Sequence, residues 1–163
     1  AIVLSGDQEL RREFRDHLPA DAVIADLEWN PAMGPRELAL AVQAAAEAAR
    51  GHVQARAIAR ALEGSAPVQD WQTAAAAARE GRLHEVWLNP AAALHVYLCN
   101  QCGTVAEGPE PCTNCSAPPY DRLPAPELLV RGANETGAQI HFASGEAVEL
   151  LDKGTGLVGR WRY

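Results

Sequence analysis

The 163-residue chain predicts an α/β fold, a three-layer α/β/α sandwich in which helices cover both faces of a mixed sheet, with a small ribbon inserted. Three observations carry that reading. Apolar periodicity switches between the helical and the strand repeat from one end of the chain to the other. Hydrophobic residues make up 48% of the composition, enough to bury one core in a chain of this length. The only four cysteines fall as two Cys-x-x-Cys pairs, Cys99/Cys102 and Cys112/Cys115.

Taken in order, Ile2-Val3-Leu4 is a short strand closed by Ser5-Gly6-Asp7. Leu10, Phe14 and Leu18 then recur at steps of four, so an amphipathic helix follows and stops near Pro19. A phosphate can sit at such a strand-to-helix turn. Without a glycine-rich loop or a lysine, ordinary turn chemistry is the expected reading. Residues 22–25 predict a second strand, continued toward Trp29 and broken at Asn30-Pro31.

Gly34-Pro35 opens a long alanine-rich helix carrying Leu38, Val42, Ala45, Ala49, Val53, Ile58 and Leu62 at helical spacing. Gly64 and Pro67 end it, Gly51 is the place for a bend, and the small residues imply a closely approaching neighbour. A domain boundary near Met33 follows, giving units 1–33 and 34–163. Asp70 is placed to cap a helix over residues 71–80, with Gly81 at its C-terminal turn. Residues 83–88 read as a strand with Val86 and Leu88 on one face and Trp87 on the other. Residues 94–98 read as a further strand of the main sheet, delivering the chain to Cys99. Beyond the ribbon, Pro126 opens a helix ended by Gly137, residues 139–143 form a strand, 146–151 a helical turn and 157–163 a last strand.

Paired Cys-x-x-Cys turns direct four thiolates at one centre, the tetrahedral donor set of Zn²⁺. Cys99, Cys102, Cys112 and Cys115 are therefore the candidate ligands of a structural zinc ribbon at about 98–118, with no position left open for water. Iron in a rubredoxin-like knot uses the same ligands. Gly103 and Gly108 supply turns, and Pro109, Pro111, Pro118 and Pro119 stiffen the approaches. A redox role is disfavoured because neither pair opens a helix.

Gly154-Thr155-Gly156-Leu157-Val158-Gly159 fits G-x-G-x-x-G, but only four residues follow Gly159. A dinucleotide site needs a strand before the glycines and a helix after them. Here they turn the chain into its last strand. Ser144 lacks a nucleophile-elbow setting, and His84-Glu85 lacks the second histidine of H-E-x-x-H. His17, His52, His84, His95 and His141 form no ligand spacing, and Trp29, Trp71, Trp87 and Trp161 read as core or interface anchors. No catalytic residue is predicted.

Fourteen basic against twenty-one acidic residues give a net charge of −7, which excludes bulk attraction to phosphate as the organising force. Only the tail is locally basic, at Lys153, Arg160 and Arg162, the candidate contacts for RNA or a partner. No apolar run reaches the length of a membrane span and no signal peptide is evident, so a cytoplasmic protein with reduced thiols is expected. The chain opens at Ala1 directly on an apolar strand, which predicts a piece of a longer protein.

From Gly34 onward the sequence resembles the C-terminal domain of the archaeal and eukaryotic class-one peptide chain release factors and their relative Pelota, in the form carried by bacterial homologues. The likeness rests on the alanine-rich helix running into a strand through residues 74–88, on the cysteine pairs that follow, and on the closing run Gly154 to Arg162-Tyr163. Residues 1–33 resemble the closing strand-helix-strand of the preceding middle domain. The family's usual glycine near Asp70 is missing. The resemblance implies a sandwich like that of small ribosomal proteins that bind kinked RNA, and a domain that contacts a translational GTPase and the base of the ribosomal stalk. The peptide-releasing Gly-Gly-Gln belongs to the middle domain and does not occur in this chain. A non-enzymatic, ribosome-associated interaction module with no membrane or small-molecule partner is thus expected, with RNA binding, including ribosomal RNA, as the alternative.

Overall fold

The structure, a computed structural model, describes residues 1–163 apart from 20, 21, 29, 107, 119 and 120. Trp29 and Pro119, read above as an anchor and a stiffener, lie outside the described residues.

Strand β1 (Ile2–Ser5) and strand β2 (Ile24–Leu27) pair in parallel, with helix α1 (Gln8–Arg15) between them in the chain. The Asp7 carboxylate accepts hydrogen bonds from the Glu9 and Leu10 amides at 2.8 and 3.3 Å. It thus caps α1 and fills the helix terminus where an anion would otherwise sit. Arg15 and Arg11 reach across to Asp26 at 2.6 and 3.1 Å, and the Arg15 bond above all holds that carboxyl below its usual range.

Helix α2 (Pro35–Glu63) bridges two environments. It packs against β1 and β2, and its second half buries Gly51, Ala55, Ile58 and Ala61. The helix continues through Gly51, whose role is close approach. A Cβ there would stand 2.5 Å from the Ser144 carbonyl oxygen. Helix α3 (Trp71–Arg79) is capped by Asp70, which accepts from the Thr73 amide at 2.7 Å. Ala74, Ala75, Ala77 and Ala78 are fully buried, so α3 lies close against a later helix, α4 (Ala125–Thr136). Gly132 on α4 is required there, because a Cβ would come within 3.0 Å of the Arg79 nitrogen. At its end Gly137 adopts φ +74°, a left-handed C-terminal turn that glycine takes without steric cost.

Strand β3 (Leu83–Leu88) is the centre of a three-stranded mixed sheet. It pairs in parallel with a strand after α4 (Gln139–Phe142) and antiparallel with the last strand (Leu157–Trp161). Val86 and Leu88 join the apolar cluster of α3 and α4, whereas Trp87 joins that of α2 and the short helix Glu146–Asp152. Between Leu83 and Glu85 the register against the last strand shifts by one residue. That bulge lets Leu83 share the cluster of Val86 and Leu88 despite its sequence parity.

The expected single mixed sheet is not what forms: among the described residues the strands make three separate sheets. Strand β4 (His95–Leu98) does not extend the main sheet. It pairs antiparallel with β5 (Val105–Ala106) and β6 (Asp121–Pro124). The cause is the break after β3, where the Asn89 side chain accepts from the Ala91 amide at 2.9 Å and turns the chain away. Residues returning from the ribbon then supply β4 with its partners. Continuing the numbering, β7 is Gln139–Phe142, α5 is Glu146–Asp152 and β8 is Leu157–Trp161. The glycine run leads directly into β8, with Gly156 at φ +84° and no helix after it. Trp71 and Trp87 are buried as expected, and Trp161 is half-buried. No helix among the described residues is long and apolar enough to cross a membrane.

Candidate metal centre

β4 ends at Leu98, and Cys99 begins a tight knuckle. Its amide donates to the Thr104 carbonyl at 2.9 Å, and the Gly103 amide donates back to the Cys99 carbonyl at 2.8 Å. The second knuckle repeats the pattern: the Cys112 amide donates to the Ala117 carbonyl at 3.1 Å, and the Ser116 amide to the Cys112 carbonyl at 2.8 Å. Gly103 (φ +73°) and Ser116 (φ +57°) occupy equivalent left-handed positions, one by the residue suited to it and one by a residue that is not.

The two knuckles face each other. The sulfurs of Cys99 and Cys115 are 3.5 Å apart, those of Cys102 and Cys112 3.4 Å apart, and all four lie within 4.8 Å of one another with no disulfide formed. A tetrahedron with metal–sulfur bonds of about 2.3 Å has sulfur edges of roughly 3.8 Å, inside that range. The Cys102 thiol is lowered by hydrogen bonding to Thr104, first through its side chain and then its backbone. Cys115 accepts a hydrogen bond from the Ala117 backbone, which lowers it, yet desolvation and the three neighbouring thiols push it up to about 12. Four thiols at this separation cannot all ionise without a cation between them. The donor set therefore fits one thiophilic metal ion, which the four residues the spacing singled out could hold.

The ribbon is tied to the body at its first knuckle. Arg79, at the end of α3, donates to the Gly103 carbonyl, and Gln72 donates to the Val105 carbonyl at 2.9 Å. A Cβ on Gly103 would stand 2.6 Å from the Arg79 guanidinium, so glycine makes room for the tie.

Of the predicted basic residues of the tail, Arg160 and Arg162 line one cleft and Lys153 is not among its lining residues. Lys153 precedes β8, whereas Arg160 and Arg162 lie at the strand's far end. Arg160 is paired with Glu85 at 2.5 Å, and Arg162 donates to the Thr136 carbonyl at 3.2 Å. Sequence reasoning passed over Arg60 and His84, which line one cleft with Arg160 and Arg162. The signal for them is tertiary, since Arg60 is a hundred positions from the tail. His95 is exposed on β4 and adds no ligand to the four cysteines.

No protein-family model matches the sequence, and no curated protein matches it. Among solved structures, the C-terminal domain of a peptide chain release factor from Methanosarcina mazei superposes with a TM-score of 0.52 at 16% identity, covering 81% of this chain and 97% of that domain. An archaeal translation termination factor aligns with a TM-score of 0.46 at 18% identity, covering 99% of this chain and 42% of that protein. The chain shares the fold of a release-factor C-terminal domain.

Proposed function

We propose that this chain is a non-catalytic interaction module of a bacterial release-factor-like protein that acts on ribosomes, in termination, rescue or dormancy, by binding a translational GTPase or the base of the ribosomal stalk. The supporting observation is the shared fold, which takes in almost the whole of the Methanosarcina mazei domain. Residues 34–163 are the module, a sandwich of the kind that binds kinked RNA in small ribosomal proteins, and residues 1–33 belong to the preceding domain. The metal is Zn²⁺ in a structural role, since four thiolates leave no coordination position for substrate. The protein works in the cytoplasm. RNA binding through Lys153, Arg160 and Arg162 takes second place, because Arg160 is already neutralised by Glu85 and Lys153 stands apart.

The test is co-sedimentation of the protein with ribosomes, alone and with an elongation-type GTPase bound to a non-hydrolysable nucleotide. Retention in the ribosomal pellet with the GTPase is expected. Absence from the pellet under both conditions overturns the reading.

A further inference from the structure

At the end of the sheet where α2 stops, a cleft of about 480 Å³ opens between the turn at residues 64–67 and the last residues of the chain. Arg60, Arg160, Arg162 and His84 are among the residues that line it. Arg160 is compensated by Glu85. Arg60 has no carboxylate partner among the described residues, and the contact of Arg162 is an uncharged carbonyl. Two cations are thus left without an anion, in a chain whose net charge is −7. Aromatic surface lies beside them. Trp161 donates its indole N–H to the Ala66 carbonyl at 2.9 Å, its ring lies 5.2 Å from the Arg82 guanidinium, and Tyr163 is 94% exposed.

Two irregularities of the backbone fall on the walls of the same cleft. His84 is the extra residue of the β3 bulge, and Ala66 has φ +53°, a left-handed conformation unfavourable for a non-glycine residue. Bulges that re-aim a side chain and strained turns concentrate where a surface meets a ligand.

We propose that this cleft binds a short acidic segment of a protein partner, two carboxylates meeting Arg60 and Arg162 while a neighbouring apolar or aromatic side chain rests against Trp161 and Pro67. Two unpaired cations match a short run of carboxylates. A nucleic acid draws its affinity from neutralising many phosphates, and the acidic remainder of this molecule opposes that. The apolar part of the lining, from Ala61, Ala66 and Pro67, gives a peptide side chain a dry contact that a phosphodiester backbone cannot use. The cleft stands apart from the ribosome reading: the purified chain binds or fails to bind such a segment whatever the ribosomes do.

The experiment is an amide NMR titration of the 163-residue chain with three probes, an eight-residue peptide of alternating glutamate and phenylalanine, its lysine counterpart, and an octamer of uridylate. The glutamate peptide is expected to shift the resonances of Arg60, His84, Arg162 and the Trp161 indole, with affinity falling as salt rises. Arg60→Glu/Arg162→Glu is expected to weaken that binding about tenfold or more without moving resonances elsewhere. Arg60→Glu alone, on the exposed face of α2, gives the same direction if the double variant folds poorly. Scattered or absent shifts, equal response to the lysine peptide, or unchanged affinity in the variants overturns the proposal. Tighter binding of the uridylate octamer at these same residues overturns it in favour of a nucleic-acid surface.

Discussion

In the helical body Leu83, Val86, Leu88, Leu128, Leu129 and Leu157 are almost fully buried, whereas among the described residues the ribbon's own buried cluster is Cys99, Cys112 and Ala117, its Val105 packing into the body. The body gains stability from apolar area removed from water, at about 25 cal/mol per Å², under any condition that leaves water the solvent. The ribbon has no such reserve. Its two knuckles repeat one hydrogen-bond pattern and converge four sulfurs in a set that could hold a metal ion. One chain therefore contains a region built on apolar burial and a region built around four convergent thiols.

The sharpest way to break the comparison is to remove the metal. Structural zinc binds small peptides with roughly 10–16 kcal/mol of apparent free energy, and here that should act on residues 98–118 alone. Chelation, or Cys112→Ser, is expected to abolish amide-exchange protection in the ribbon while helical circular dichroism stays intact. Collapse of the helical signal as well would show that the two regions fold as one.

The reverse experiment attacks the body. Leu129, on α4, is fully buried in the cluster it shares with α3 and β3, and Leu129→Ala should cost about 2–5 kcal/mol in urea unfolding. Metal stoichiometry of the folded variant should stay at one ion. A more local cost is expected at Gly51, where a Cβ would meet the Ser144 carbonyl oxygen. Gly51→Ala should lower stability by about 1–3 kcal/mol through overpacking of α2 against the turn into α5. An unchanged urea midpoint would mean that this turn yields freely.

The smallest effect separates the two knuckles from each other. Ser116 holds the left-handed position that Gly103 fills in the first knuckle, so Ser116→Gly should favour the ribbon by at most about 1 kcal/mol. Slower metal release to a chelator is the readout. Faster release would mean that the Ser116 side chain contributes more than its backbone strain costs.

Much of this arrangement is legible in the sequence because its signals are local. Asp70 caps the helix that follows it, Gly137 takes the left-handed turn that ends α4, and the alternation in residues 86–88 divides two faces as expected. Strand partnership was not legible in the same way. Residues 94–98 carry an apolar run that suits either the main sheet or the ribbon's base, and only the Asn89 turn directs them to the latter. Gly51 reads as a bend in a one-dimensional pattern, yet its meaning lies in a carbonyl more than ninety residues away.

By itself the sequence determined the convergence of the four cysteines and the helices, since two-residue cysteine spacing, helical periodicity and capping act over a few bonds or one turn. Tertiary structure decided what those elements meet: which strands pair, which glycines are obligatory, and how Arg60, His84, Trp161 and Arg162 come to share one cleft. The physical reason is range. Dihedral preferences and short spacings are fixed within a segment, whereas pairing and charge convergence depend on contacts between segments that no local pattern specifies.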